Sequence, residues 1–396
     1  MLTSLVSLSS HRTTPRAHVA VADVQKFVEE VVSEDMHALR VTSLTNGVLG
    51  VLHCAALGIH AIGRALAAAR GLDVKHSVKQ VDRLLSNRGI DVWQWFSHWV
   101  PFVVAARDKI VVALDWTHFE PDDQTTIALY LITSHGRATP LMWKTHRLSS
   151  LKDRRSEYET ELVDRLHEIL PRDIDITVLA DRGFGDQELY IYFDTLGWSY
   201  VIRFRECIVV TDSDGQSKPA REWVPESGHA KMLRDALVTQ KKTAVGAVVV
   251  KHQKGMKEAW CLATNRVDLN ASGVVDLYAR RFTIEETFRD LKDPRFGTGL
   301  SNVHISRPDR RDRLMLLFAV AHALLTLLGA AGEEAGLDRT LKANTSPKRA
   351  LSLFNQGCFW FSAIPNLREE RLRPLMNAFA KTIASHAALS QIFGVI

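Results

Sequence analysis

The chain has 396 residues, with 50 Lys plus Arg against 45 Asp plus Glu, a formal charge of +5. At 46% hydrophobic and 24% charged residues it can bury a large core over roughly two or three domains, which excludes wholesale disorder, collagen and a disulfide-stapled miniprotein. The small cationic surplus permits a polyanionic partner without demanding one. Cys54, Cys207, Cys261 and Cys358 lack the close spacing of a zinc or redox motif, so free thiols in a reducing cytoplasm are expected.

Residues 1–22 contain no acid and carry His11, Arg12, Arg16 and several Ser. That composition is shared with transit peptides, but an unstructured start is the expectation. From Asp23 to about Ala106 apolar residues recur at three and four, predicting an all-helical head with turns around Ser43, Gly71 and Gly89. Within it Lys75, Lys79 and Arg83 share one helix face beside an apolar face of Val78, Val81 and Leu85. Such a helix can lie on a core and show cations to phosphate, although a solvated amphipathic helix has the same pattern.

The period then changes. Ile110 to Asp115 is a continuous apolar run ending in an acid, as suits a central strand buried on both faces. Strands at Thr125–Thr133 and Ala138–Lys144 follow, then a helix from about Ser156 to Leu170. Ile174 to Asp181 is a second apolar run ending in an acid, followed by a helix near Asp186–Leu196 and a strand at Trp198–Phe204. This order describes a mixed α/β sheet flanked by helices. Residues from about Glu206 to Asn265 read as a small β insertion. Helical period returns from about Ala271 to Lys292, where Asp293-Pro294 stops it. The apolar run Leu314–Ala331 is nearly long enough for a bilayer, but it contains His322 and Thr326 and stands alone, so a buried core helix is expected and no membrane. The remainder is helical around a loop at Thr345–Lys348.

Two strands that each deliver an Asp at the carboxyl end would, as parallel neighbours, set Asp115 and Asp181 side by side. Either acid alone would be read as a strand cap. As a pair they repel unless one is protonated or a hard cation neutralises both. On the helix before Lys292, about 100° per residue puts Tyr278, Arg281, Glu285, Arg289 and Lys292 within an arc of about 80°. Glu286 lies off that face. Alone this is a salt-bridged stripe. Beside two sheet acids it becomes a phosphate site, with Glu285 as third carboxylate, Arg281, Arg289 and Lys292 as phosphate grips and Tyr278 as a hydrogen-bond donor. His118 and His146 read as hydrogen-bonded neighbours, because hard oxygen ligands suit Mg²⁺ better than imidazole.

At this point the sequence resembles bacterial insertion-sequence transposases of the DDE type, which have an RNase-H-like catalytic fold. Their helix signature is Tyr, two residues, Arg, three residues, Glu, six residues, Lys; Tyr278, Arg281, Glu285 and Lys292 fit every interval. The Leu-Asp-Trp-Thr segment at Asp115 and the Ala-Asp-Arg-Gly-Phe-Gly segment at Asp181 look like the family's first two acid motifs. The likeness runs roughly from Lys109 to Lys292. It implies that Asp115, Asp181 and Glu285 are catalytic and hold two Mg²⁺ ions, with Mn²⁺ as a substitute. It also implies double-stranded DNA as partner, a homodimer in the paired complex, and an RNase-H-like five-stranded sheet. Trp260 stands where related members keep a tryptophan that stacks on a flipped base. The family often places a further cation four residues after the Glu; here it is Arg289, which keeps the charge but changes the donor geometry.

The organisation expected is a DNA-binding head over 1–105, a catalytic domain over 106–205 and 266–335, a β insertion over 206–265, and a helical C-terminal region over 336–396 used in pairing protomers. The activity expected is cleavage at terminal inverted repeats and joining of a 3′-hydroxyl to target DNA. Hairpin ends are compatible with the signature and not established by it. A catalytically inactive DNA-binding relative and a nuclease of the same fold without strand transfer remain as alternatives.

Overall fold

A computed structural model describes residues 21–32, 36–295, 297–343, 345–384 and 392. Residues 1–20 of the expected unstructured start lie outside these. Val21 and Ala22 do not belong to such a start, because they open the first helix. The head is helical as expected: α1 (Val21–Val32), α2 (Ala38–Cys54), α3 (Ile59–Arg70), α4 (Val74–Ser86) and α5 (Val92–Val104). Carboxylates begin two of them. Asp73 accepts from the His76 N–H at 2.8 Å, and Asp91 from the Trp93 N–H at 2.9 Å. Gly71, at φ 63°, ends α3.

The turn expected around Ser43 is absent. Ser43 lies inside α2, which runs on because Leu44, Val48, Leu49 and Leu52 are buried and Gly47 and Gly50 admit close neighbours. A side-chain carbon on Gly50 would lie 2.6 Å from Ile62. Tertiary packing here overrides a turn-like local sequence.

The next five strands are β1 (Lys109–Phe119), β2 (Gln124–Leu131), β3 (Thr139–Arg147), β4 (Asp175–Ala180) and β5 (Ser199–Phe204). Helices α6 (Leu151–Ile169) and α7 (Gln187–Leu196) connect the last three. β1 pairs in parallel with β4, and β4 with β5, while β2 and β3 add antiparallel strands on the other side. β1 outlasts Asp115, where it was expected to end. Its ladder with β2 continues to Phe119 opposite Gln124, whereas its ladder with β4 stops at Leu114.

The insertion is no separate small sheet. Its strands β6 (Val209–Thr211), β7 (Ser217–Pro219), β8 (Lys231–Val238), β9 (Thr243–Lys251) and β10 (Trp260–Thr264) lengthen the first one. The order becomes β3-β2-β1-β4-β5-β10-β9-β8-β6-β7, ten strands in all. The physical reason is the free edge of β5, whose backbone groups need partners and find them antiparallel on β10.

The helix expected from Ala271 to Lys292 is two, α8 (Ala271–Ala279) and α9 (Phe282–Lys292). At the joint, Arg281 N–H donates to Tyr278 O, Thr283 to Arg280 O and Ile284 to Arg281 O, at 3.0, 3.1 and 3.0 Å. These three-residue steps tighten the turn without Gly or Pro.

Helix α10 (Pro308–Glu334) contains the apolar run and is the one helix among the described residues long and apolar enough to cross a membrane. Leu314 to Leu324 are all buried within the protein, His322 included, as a core helix requires. Helices α11 (Leu353–Ala363) and α12 (Glu369–Ile383) pack along it. Its first turns form a clamp. On one side Arg310 pairs with Asp82 at 2.6 Å, and Arg313 donates to Leu85 O and Ile90 O at 3.0 and 2.8 Å. On the other side Asp312 accepts from the Thr145 N–H of β3 at 3.0 Å, and Trp143 donates to Asp312 O at 3.2 Å. A single hydrophobic cluster therefore runs from Val24 in the head, through the sheet, to Ile383 in α12.

Candidate active site

Leu114 pairs with Ala180 in the parallel ladder, so the next residues on the two strands are Asp115 and Asp181. Neighbouring strands lie about 4.8 Å apart, which makes the two carboxylates neighbours. Each is aimed by a local amide. Asp115 Oδ1 accepts from Trp116 N–H at 2.8 Å, and Asp181 Oδ1 from Gly183 N–H at 2.8 Å, opening the tight turn Arg182–Phe184.

The α8–α9 joint delivers the third acid. Arg281, only 7% exposed, reaches across to donate to Asp115 Oδ2 at 3.1 Å and to Glu285 Oε1 at 2.6 Å. The broken helix thus draws Glu285 toward the sheet acids while leaving that carboxylate half exposed. The rear of α9 is pinned by Arg137, which pairs with buried Asp290 at 2.5 Å, and by Thr287, which donates to Ala138 O at 2.9 Å.

Burial and neighbouring charge both act on the first acid. Burial pushes the Asp115 carboxyl up to about 6; Arg281 opposes this, and the charges of Asp181 and Glu285 add to it. Burial also opposes the charge on Arg281, yet Tyr278, Asp115 and Glu285 outweigh it and raise its pKa. The donor set is all carboxylate oxygen, sunk at Asp115 and half exposed at Glu285, and oxygen donors of this kind suit a hard divalent cation. As the side chains stand, Arg281 supplies the neutralising charge. Among the described residues no three His, Cys, Asp or Glu side chains come close enough to hold a metal ion.

The other residues on the expected face divide. Lys292 lies half-buried against β1: its ammonium donates to Thr117 Oγ1 at 3.2 Å and His118 O at 3.0 Å, and burial and Arg311 lower its pKa. Arg289 is exposed and pairs with Glu286, not with the three acids. Tyr278 is buried, edge-on to Trp260 with ring centroids 5.0 Å apart, and the Arg281 guanidinium that reaches the acids lies 5.8 Å from its ring centre. Trp260, the first residue of β10, also stacks on Phe282 at 5.8 Å, and Phe282 is 41% exposed. Lys75, Lys79 and Arg83 are exposed together on α4, while Val81 and Leu85 are buried and Val78 is half-buried.

His118 hydrogen-bonds Thr125 through Nδ1 at 2.8 Å, as a neighbour should. His146 instead stacks on Tyr158 at 3.6 Å, and burial followed by Lys144 lowers it to about 4. All four cysteines are free. The sequence reading missed Arg155 and Glu159 of α6: Arg155 lies on the Asp181 side of Gly183, and Glu159 accepts from the indole of Trp116, next to Asp115 in β1. Their only signal was an Arg and a Glu four residues apart, the commonest of surface pairs.

A parallel pair of strand acids in an RNase-H-like sheet, with a glutamate brought in from a later helix, defines the carboxylate-centred nuclease class. Residues 107–324 match the family described as Transposase DDE domain, and the chain belongs to that family. No curated protein matches the chain.

Proposed function

We propose that this protein is a cut-and-paste transposase that binds the terminal inverted repeats of its own insertion element, cleaves there to free a 3′-hydroxyl, and joins that end to target DNA. The observation that carries the reading is the register of β1 on β4, which puts Asp115 beside Asp181, with Arg281 holding Glu285 to the same place. Asp115, Asp181 and Glu285 would hold Mg²⁺, or Mn²⁺ in its stead. When bound, such ions supply Lewis acidity to the attacking and departing oxygens of an in-line displacement.

The chain's own residues do the rest. Arg281 keeps two carboxylates together that would otherwise repel. Lys292 and Arg289 offer charge to the phosphates flanking the cut, Lys292 from beside β1 and Arg289 from the open side of α9. Trp260 and Phe282 present an aromatic face on which an unpaired base can stack. In the head (1–105), Lys75, Lys79 and Arg83 meet the phosphates of the element end. The catalytic unit is 106–205 with 266–335, the insertion 206–265 lengthens its sheet, and 336–396 serves the pairing of two protomers on two ends.

The test uses linear duplexes ending in the inverted repeats that border the gene, a target plasmid and Mg²⁺. Cleaved 3′ ends joined to plasmid are expected. Cleavage without joining would make the protein a nuclease, and a shifted band alone would make it a non-catalytic binder.

A further inference from the structure

Helix α6 brings a further cation to the acids. Glu159 is buried, and its Oε1 accepts from two donors, Arg155 Nε at 2.7 Å and Trp116 Nε1 at 2.8 Å. Trp116 is the residue whose backbone N–H aims Asp115. One buried carboxylate therefore fixes both the support of the first acid and the side chain of Arg155. With Nε engaged, the two terminal nitrogens of Arg155 have no further hydrogen bond among the described residues, and its side chain is 39% exposed.

Those nitrogens lie on the Asp181 side of the site. A side-chain carbon on Gly183 would stand 3.0 Å from Arg155 Nη2 and 3.0 Å from Asp181 Oδ1, so Gly183 leaves room for both to share one small space. The guanidinium rests 5.3 Å from the Phe184 ring centre and 5.8 Å from that of Trp116, which limits its swing. Its charge also reaches His118 on β1, whose pKa is lowered by burial, then Lys292, then Arg155.

An ordinary Arg–Glu pair on a helix surface is worth about 0.3–0.5 kcal/mol and leaves both partners in water. Here the carboxylate is sunk, doubly bonded and desolvated, while the guanidinium's outer edge is held open next to a carboxylate it does not bond. We infer that Arg155 is a phosphate-binding residue of the cleavage site, gripping the DNA backbone on the Asp181 side, and that Glu159 is the positioning residue that orients it. This rests on reading the three acids as the cutting centre. It adds a cation that the helix signature does not contain, so the site would grip DNA from α6 as well as from α9.

The experiment takes the full chain, the same element-end duplexes and Mg²⁺, and measures cleavage rate, the salt dependence of duplex binding, and melting temperature. Arg155→Gln should slow cleavage on the order of 10- to 100-fold. It should also reduce the slope of log binding constant against log salt by about one, with melting unchanged. Arg155→Lys should restore the slope but only part of the rate, because an ammonium keeps the charge and loses the fork. Wild-type rate and slope in Arg155→Gln overturn the inference; should that variant fail to fold, a wild-type rate in Arg155→Lys does the same. Wild-type protein that binds without cutting refutes the acid reading alone, and the slope still decides Arg155. No binding by wild-type protein refutes both.

Discussion

The two halves of the candidate site are built in opposite ways. Asp115 and Asp181 stand on adjacent parallel strands whose separation is fixed by the backbone ladder. Glu285 depends on a break between two short helices, a buried arginine and a pin at the back of α9. Sheet geometry needs no side chain to hold it, whereas the helical half is held almost wholly by side chains. Substitutions around the acids should therefore act locally on the sheet side and at a distance on the helix side.

The strongest test is direct. Asp115→Asn, Asp181→Asn and Glu285→Gln should each cut cleavage by roughly a thousandfold or more while binding of end duplexes is retained, read by product formation and band shift. Full cleavage by any one removes that residue from the centre. Next, Arg137→Met strips the partner from buried Asp290 at the rear of α9. Breaking such a pair should cost about 3–5 kcal/mol in urea unfolding and slow cleavage by loosening Glu285. A change confined to stability would show that α9 keeps its place without the pin.

The third is a matter of pH without divalent metal. Because the folded Asp115 carboxyl is pushed up to about 6, its contribution to stability is fully present below the ordinary value of 3.8 and lost as pH rises through about 6. Asp115→Asn should match wild type near pH 4 and exceed it above pH 7 by about 2–3 kcal/mol, measured by chemical denaturation at each pH. Equal curves would mean that neither burial nor the neighbouring carboxylates raise the Asp115 carboxyl. The smallest effect belongs to the head. Each of Lys75→Gln, Lys79→Gln and Arg83→Gln should lower the salt slope of DNA binding by about one and leave thermal stability within about 0.5 kcal/mol.

What could be read from the sequence follows the same division. Ile110–Asp115 and Ile174–Asp181 announced their strands because a doubly buried parallel strand is mostly apolar, unbroken from Ile110 to Leu114 and from Val178 to Ala180, and each ended at its acid. The Tyr278-to-Lys292 spacing announced one helix, since Ala-Arg-Arg-Phe carries no breaker; the joint arises from where Arg281 must reach, a tertiary fact. Ser43 misled for the converse reason, a polar stretch with Gly47 that is helical because the core closes around it. That the insertion would extend the sheet was illegible, because a strand's partner is not written in its own alternation. Arg155 was hidden by the commonness of its pattern. Its setting is visible only once Glu159 is seen to be buried and Gly183 empty.

One consequence follows from the opening turns of α10, which grip α4 by Arg310 and Arg313 and β3 by Asp312. The cations that would meet the element end and the acids that would cut it are bolted to the same strut, not strung on a tether. Such a body would work as a caliper: where it seated on the repeat would determine which bond lay under the blades. Moving the recognised base pairs by one step along the duplex should carry the incision along by one step.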